Sequence, residues 1–257
     1  MPSTSTVIRG CATSAQSYVS LLGAAGFADL LLTDPPFCLL TRRRESGAPR
    51  DPKPRARKND APGVRRFDTV AEYAGFSRSW LQHALPRLRP TGAAVIFTNA
   101  LGRPPLLAAA TAHGFSLCAA VPWAKLPGAR ADAGRETLLR VYEWALVLAR
   151  GAPLPPGRPH SAGPSLASGA LALVSGFHDA LGEPHAHPHA KPFAALEPLL
   201  REFSRPGDVV LDPFSGSGAI PAAAAALGRV GRGCELRAEW AAAAARRVEG
   251  VHNTTKT

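Results

Sequence analysis

The segment Asp34-Pro35-Pro36-Phe37 combines residue types that could activate an amine attached to an aromatic ring. Such an amine is a poor nucleophile because its lone pair is delocalised into the ring. The Asp34 carboxylate and the Pro35 carbonyl can both accept hydrogen bonds from it, which frees the lone pair for attack on a methyl group. Both prolines have a fixed φ and hold these acceptors in place, and the Phe37 ring can stack on a flipped base. Taken alone, Asp-Pro-Pro is equally typical of a turn that ends a strand.

A second segment, Asp212-Pro213-Phe214-Ser215-Gly216-Ser217-Gly218, is typical of a loop that holds a nucleotide-like ligand. Glycine allows a sharp turn and a close approach of the ligand, and the N–H groups that begin the following helix suit an anion. Glu235 ends the next predicted strand, where an acid in this type of fold accepts hydrogen bonds from both ribose hydroxyls. Because the loop lacks the ATP-hydrolysing and dinucleotide-binding patterns, it favours a smaller adenosine ligand.

Alternating strands and helices are predicted to position these two segments. Apolar runs predict strands at 28–33, 93–98, 115–123, 142–148, 208–211 and 230–235, and helices at 69–88, 104–113, 192–203, 219–227 and 238–248. Pro90-Thr91-Gly92 predicts a turn, and 151–190 is predicted to be mostly loop, with an apolar patch at 171–177. This alternation predicts an α/β fold with a doubly wound, mostly parallel sheet, which binds ligands at the carboxyl ends of its strands.

The charge of the chain favours a polyanionic partner. Lys and Arg outnumber Asp and Glu by 30 to 19, which gives a formal net charge of +11. Many of these cations lie in a long insertion at 38–68, whose candidate DNA-binding residues are Arg42, Arg43, Arg44, Arg55, Arg57 and Lys58. The insertion could bind phosphates, or it could be a solvated loop without a ligand, and both interpretations remain open.

The order of these motifs resembles the permuted, or β, class of amino-directed DNA methyltransferases. Leu30–Phe37 is similar to the catalytic motif of that family, Val210–Gly218 to its cofactor loop, and Gly233-Cys234-Glu235 to its ribose-binding strand end. The shorter family motifs are resembled by Trp123-Ala124-Lys125, Tyr142-Glu143 and Lys191-Pro192. Two positions differ from the family, which more often has Tyr where Phe37 stands and Gly-Asp where Gly10-Cys11 stands.

The resemblance implies a seven-stranded Rossmann-like methyltransferase sheet, S-adenosylmethionine as cofactor, double-stranded DNA as substrate, and base flipping without a metal. It assigns catalysis to Asp34, Pro35, Pro36 and Phe37. It assigns cofactor binding to Thr33, Lys191, Asp212, Phe214, Ser215, Gly216, Ser217, Gly218 and Glu235. Asp at position 34 favours adenine N6 as the target, since Ser is usual there in cytosine-N4 enzymes. The chain is divided into a catalytic part (1–150), a short target-recognition segment (151–190), a cofactor-binding part (191–250) and a polar tail (251–257).

Three alternatives to an adenine-N6 enzyme remain open. A cytosine-N4 methyltransferase would share these motifs. A protein-glutamine methyltransferase also has an X-Pro-Pro-aromatic turn, usually with Asn first, but its glycine loop precedes the turn instead of following it. A DNA-binding protein that retains the donor pocket without turnover would not need an intact Asp34–Phe37 segment.

The remaining features predict structure and location more than chemistry. The cysteines form no C-x-x-C pair and are interpreted as small buried hydrophobes. His185, His187 and His189 are interpreted as a polar loop and not as a metal site, and Trp80 and Trp123 as core residues. Because no secretory or membrane-spanning segment is present, we expect a cytoplasmic, nucleoid-associated protein, either monomer or homodimer. A cognate restriction endonuclease is left open as a partner.

Overall fold

The computed structural model describes residues 4–23, 26–41, 65–125, 143–150, 173–175 and 190–254. The predicted DNA-binding cations at 42–58 and the three histidines at 185–189 lie outside these residues. The strands are β1 (Thr6–Arg9), β2 (Ala28–Thr33), β3 (Leu88–Thr98), β4 (Phe115–Lys125), β5 (Glu143–Arg150), β6 (Leu173–Ser175), β7 (Val209–Asp212) and β8 (Val230–Glu235). The helices are α1 (Ala15–Leu22), α2 (Val70–Ala84), α3 (Arg103–Thr111), α4 (Phe193–Phe203), α5 (Ala219–Ala226) and α6 (Ala238–Thr254).

The strands form one mixed sheet in the order β1-β8-β7-β2-β3-β5-β4-β6. β5 is antiparallel to both of its neighbours, and the other pairs are parallel. The prediction of a mostly parallel, seven-stranded sheet is confirmed, and the three-residue β6 extends it at one edge. Because β8, β7 and β2 are consecutive neighbours that run in one direction, their carboxyl ends lie side by side.

Helices cover both faces of this sheet, as a doubly wound fold requires. Along β2, Leu31 packs in the cluster formed with helices α1 to α3, whereas Leu30 and Leu32 pack in the cluster formed with α4 and α5. Successive strand residues point to opposite faces, so an uninterrupted apolar run is buried on both. Trp80 and Trp123 are both buried, which confirms their prediction as core residues.

Helix α2 has both an apolar face and an N-terminal cap that the sequence encodes. Its buried residues Tyr73, Phe76, Trp80, Leu81 and Ala84 recur at helical spacing. Its first turn is a variant of the capping box, in which the Glu72 side chain reaches the residue before the N-cap Thr69. The Thr69 side chain accepts a hydrogen bond from the Glu72 N–H at 3.0 Å, and the Glu72 carboxylate accepts one from the Asp68 N–H at 2.7 Å.

Some boundaries differ from the predictions. The turn predicted at Pro90-Thr91-Gly92 is wrong, because these residues lie within β3, where a shift in the β2–β3 register accommodates them. Helix α6 continues to Thr254, beyond the predicted end at 248 and into the segment predicted to be a polar tail. The four-residue β1 and the eight-residue α1 were not predicted, because such short segments show too little hydrophobic periodicity. No helix in the described part of the chain is long and apolar enough to cross a membrane.

Candidate active site

The two predicted motifs meet where β2 and β7 end next to each other. Thr33, the last residue of β2, donates a hydrogen bond from Oγ1 to Oδ1 of Asp212, the last residue of β7, at 2.7 Å. Asp34 follows Thr33 directly, and the glycine loop follows Asp212. The structure therefore brings the start of the Asp-Pro-Pro-Phe segment and the start of the glycine loop to one point on the sheet edge.

Asp212 is a buried carboxylate whose charge is incompletely balanced. Its Oδ1 accepts hydrogen bonds from Thr33 and from the N–H of Phe214 at 3.2 Å, whereas Oδ2 has no hydrogen-bond partner among the described residues. Burial raises the pKa of Asp212 to about 7, the two hydrogen bonds oppose that rise, and the nearby charges of Asp34 and Glu235 add to it. Such a carboxylate is suited to face a positively charged group.

The glycine loop is wound against the end of β8. Ser215 donates from Oγ to the carbonyl of Asp212 at 2.9 Å and from its N–H to the carbonyl of Cys234 at 3.0 Å. The N–H of Gly218 then donates to the carbonyl of Ser215 at 2.7 Å. Gly216 and Ser217 remain partly exposed, so a ligand can reach the backbone at the tip of the loop.

Glu235 is held at the end of β8 by two backbone groups. Its Oε2 accepts from the N–H of Gly216 at 3.0 Å, and its Oε1 accepts from the N–H of Arg237 at 2.9 Å. The carboxylate is therefore fixed between the glycine loop and the turn into α6. That this acid accepts hydrogen bonds from ribose hydroxyls stays a prediction.

Asp34 is paired with Lys191, a residue that was predicted to contact the cofactor. The Nζ of Lys191 donates to Oδ2 of Asp34 at 2.5 Å and forms an ion pair with Oε2 of Glu143 at 3.2 Å. Burial alone would lower the pKa of Lys191, but the attraction of Asp34 and Glu143 outweighs it and raises that pKa. Glu143 received no role from its residue type, and only the resemblance of Tyr142-Glu143 to a family motif indicated it.

The residue that follows the Asp-Pro-Pro-Phe segment, Cys38, is anchored to the loop just after β3. Pro35 is buried, and Phe37 is partly buried against the apolar cluster formed with α4 and α5. Asn99, just after β3, donates from Nδ2 to the carbonyl of Cys38 at 2.9 Å and accepts on Oδ1 from the N–H of Gly102 at 2.9 Å. Sequence reasoning missed Asn99, because a single amide at a strand end has no distinguishing pattern.

The two ends of the basic insertion meet beside this segment. Leu40 and Phe67 form an isolated parallel bridge, in which the N–H of Thr41 donates to the carbonyl of Phe67 at 2.8 Å. The N–H of Phe67 donates in turn to the carbonyl of Leu39 at 2.9 Å. The described residues at the two ends of the insertion therefore lie next to each other, and Leu39–Thr41 follow Phe37 closely in the chain.

Replacing Gly218 with Ala should destabilise the fold. Gly218 has a φ of +75°, and an added Cβ would lie 2.8 Å from the Cβ and 2.9 Å from the Cα of Ala244 on α6. We expect a loss of about 1–3 kcal/mol in the free energy of unfolding, measured by urea denaturation. Gly250→Ala is the matched control, because a Cβ there meets nothing within 4 Å and removing a helical glycine stabilises by up to about 1 kcal/mol. Equal effects of the two substitutions would contradict this packing.

Asp212→Asn should change how stability depends on pH. The folded state holds a proton on Asp212 up to a pKa of about 7, against 3.8 as the ordinary value. Between these values the unfolded chain has already released that proton. This group therefore lowers the free energy of unfolding as pH rises through that window, by at most about 1.4 kcal/mol per pH unit. The stability of Asp212→Asn relative to the wild type should increase from pH 5 to pH 8 in urea titrations. A difference that stays constant with pH would contradict the raised pKa of Asp212.

Comparison with known proteins identifies the family of this chain. The model of the N6/N4 family, described as DNA methylase, matches residues 28–246. Among curated proteins of Escherichia coli (strain K12), YubD is 36% identical over 110 residues, which is 43% of each chain. The DNA adenine methyltransferase YhdJ is 43% identical over 63 residues, which is 24% of this chain and 21% of YhdJ. These matches cover less than half the length of either relative.

Solved structures share the fold across nearly the whole chain. The M1.HpyAVI–SAM complex has a TM-score of 0.64 at 20% identity and covers 95% of this chain and 98% of that one. The cytosine-N4-specific PvuII DNA methyltransferase has a TM-score of 0.65 at 17% identity and covers 99% of this chain and 94% of that one. Since the family model matches most of the chain, this protein belongs to the N6/N4 family of DNA methylases.

Proposed function

We propose that this protein transfers a methyl group from S-adenosylmethionine to N6 of a flipped adenine in double-stranded DNA. One observation carries the proposal. The Thr33–Asp212 hydrogen bond, 2.7 Å long, joins the amine-acceptor segment to the glycine loop across neighbouring strand ends. A methyl group can pass directly between two ligands only when their sites are adjacent.

The residues around the glycine loop fit S-adenosylmethionine. Glu235, fixed by two backbone N–H groups, would accept hydrogen bonds from the ribose hydroxyls. Residues 214–218 would surround the methionine end, and the buried Asp212, with Oδ2 lacking a hydrogen bond among the described residues, suits a cationic ligand. When bound, this donor supplies an electrophilic methyl group on a positively charged sulfur. The relative M1.HpyAVI, with the same fold, was solved as a complex with SAM.

The residues after β2 would prepare the amine of the base. Asp34 and the carbonyl of Pro35 would accept its two hydrogens, which makes the nitrogen lone pair available, while the Phe37 ring stacks on the base. As the new N–C bond forms, the bond from the methyl group to the donor sulfur would break and leave its electron pair on that sulfur as a neutral thioether. The amine nitrogen would become positively charged and would have to release a proton. The Asp34 carboxylate can stabilise that charge and accept that proton.

Adenine is proposed as the target over cytosine for two reasons. The segment begins with Asp34 and not with the Ser that is usual in cytosine-N4 enzymes. In addition, the relative YhdJ is a DNA adenine methyltransferase. The cytosine-N4 specificity of the PvuII enzyme, which has a similar fold, keeps N4 of cytosine as the second candidate.

DNA is proposed to be held in part by the basic insertion. Its described ends are joined by the Leu40–Phe67 bridge, three residues after Phe37, so the insertion is attached to the fold beside the proposed target-base site. The formal net charge of +11 agrees with a polyanionic substrate.

The proposal can be tested by isotope transfer. The purified protein is incubated with duplex DNA of mixed sequence and S-adenosylmethionine that has a deuterated methyl group. The DNA is then digested to nucleosides for mass spectrometry. We expect deuterated N6-methyladenine. Deuterated N4-methylcytosine alone would replace adenine with cytosine as the target, and donor binding without label in the DNA would favour a non-catalytic DNA-binding protein.

A further inference from the structure

We infer that Lys191 and Glu143 are positioning residues of the amine-acceptor site, where they fix the Asp34 carboxylate and the Phe37 ring. This inference rests on the proposed function and assigns Lys191 to the target base instead of the methyl donor. Within the described part of the chain, the ion-pair partners of its Nζ are Asp34 and Glu143.

Three distant parts of the chain meet at this ammonium. Asp34 follows β2, Glu143 begins β5, and Lys191 precedes α4. The side chains of Lys191, Glu143 and Asp34 are only 7%, 15% and 18% exposed. Since charges at such low exposure are poorly solvated, their geometry is held much more firmly than that of surface ion pairs.

Aromatic rings also surround the ammonium. The Nζ of Lys191 lies 5.0 Å from the ring centre of Phe97, 5.3 Å from that of Phe37 and 5.7 Å from that of Trp123. These distances are within the range of cation–π attraction. Lys191 therefore contacts both groups proposed to handle the base, the carboxylate of Asp34 and the ring of Phe37.

The charge balance explains why a second carboxylate is present. A lysine paired with Asp34 alone would neutralise it and weaken it as an acceptor for the amine. Glu143 attracts the same ammonium, so the group of three charges retains one net negative charge. A negative charge held in place before the reaction stabilises the positive charge that develops on the amine nitrogen.

Glu143→Gln is the main test, because it keeps the shape of the side chain and leaves the Asp34–Lys191 pair intact. We expect kcat for DNA methylation to fall on the order of 10-fold to 100-fold. Lys191→Met should reduce kcat further, and it leaves two carboxylates facing each other. The double variant removes one carboxylate together with the ammonium and thereby limits the loss of stability.

Two readouts separate a positioning role from a structural or donor-binding role. First, donor affinity, measured by calorimetry without DNA, should stay within about 2-fold of the wild type in all three variants. Second, the effect of Glu143→Gln on kcat should be much smaller in the Lys191→Met background, because Glu143 acts through Lys191.

Specific results would overturn the inference. A large loss of donor affinity in Lys191→Met or in the double variant would place Lys191 in the donor site. A wild-type kcat in Glu143→Gln, or equal effects of Glu143→Gln in both backgrounds, would remove the positioning role. A wild-type protein that binds the donor but methylates no DNA would refute the proposed function instead, and the calorimetry, which needs no turnover, would still decide where Lys191 belongs.

Discussion

Asp34→Asn should abolish methyl transfer while the chain still folds and binds S-adenosylmethionine. Asn has the shape of Asp but lacks its charge, so it accepts hydrogen bonds from the amine more weakly and cannot take the proton that leaves. It also loses the ion pair with Lys191, whose Nζ is 2.5 Å from Oδ2 of Asp34. Since removing one group that stabilises developing charge costs about 10²–10³-fold in kcat, we expect a loss on the order of 10³-fold or more. Single-turnover transfer of labelled methyl to DNA measures it.

Asp29→Asn is the matched control for this experiment. Asp29 lies on the same strand as Thr33 but near its amino end, where it pairs with Arg89 at 2.9 Å and accepts a hydrogen bond from the N–H of Val209. We expect this variant to lose some stability but to keep the single-turnover rate of methyl transfer once donor and DNA are bound. If Asp34→Asn kept more than a tenth of the wild-type rate, another group would be the amine acceptor. If both variants lost activity in parallel with stability, Asp34 would have only a structural role.

Glu235→Ala should act on the other half of the site and lower donor affinity on the order of 100-fold. Hydrogen bonds to a charged group contribute about 1.5–3 kcal/mol each, and the loss of two ribose contacts therefore gives a shift of about 10²-fold or more in Kd. The substitution also releases the N–H groups of Gly216 and Arg237, which loosens the glycine loop. Equilibrium dialysis with labelled donor measures the Kd in the absence of DNA.

Glu239→Ala provides the comparison for Glu235. Glu239 is an exposed acid in the first turn of α6, four residues after Glu235 in the chain. Its substitution should leave donor affinity within about 2-fold of the wild type. A wild-type Kd in Glu235→Ala would mean that the donor lies elsewhere, and the site at the ends of β7 and β8 would then lose its proposed ligand. At saturating donor, we expect Glu235→Ala to recover more of its kcat than Asp34→Asn does.

Asp34→Asn and Glu235→Ala together test whether the amine-acceptor site and the donor site act separately. Asp34 follows β2, and Glu235 ends β8, with β7 between the two strands. The first substitution should change the chemical step with little effect on donor binding, and the second should do the reverse. Both changes in one variant should therefore combine close to additively in free energy, because the two side chains contact different ligands.

The sequence by itself determined the local parts of this protein. The apolar run Leu30–Leu32 in β2 predicts a buried strand because leucine suits burial on both faces of the sheet, and the two prolines after Asp34 end the strand by their own backbone geometry. The turn at Gly216 and Gly218, with φ angles of 49° and 75°, likewise depends on the residues that form it. The two motifs and the alternation of strands and helices could therefore be predicted.

Only the tertiary structure decided which of these parts touch. The order of the strands places β2 beside β7 and gives Thr33 its bond to Asp212, 179 positions away in the chain. The same order brings Lys191 and Glu143 to Asp34 and buries Asp212 deeply enough to raise its pKa to about 7. No local pattern specifies such contacts, because they depend on strand register and on the packing of segments that are far apart in the chain, whereas a residue's own backbone preference acts only on its immediate neighbours.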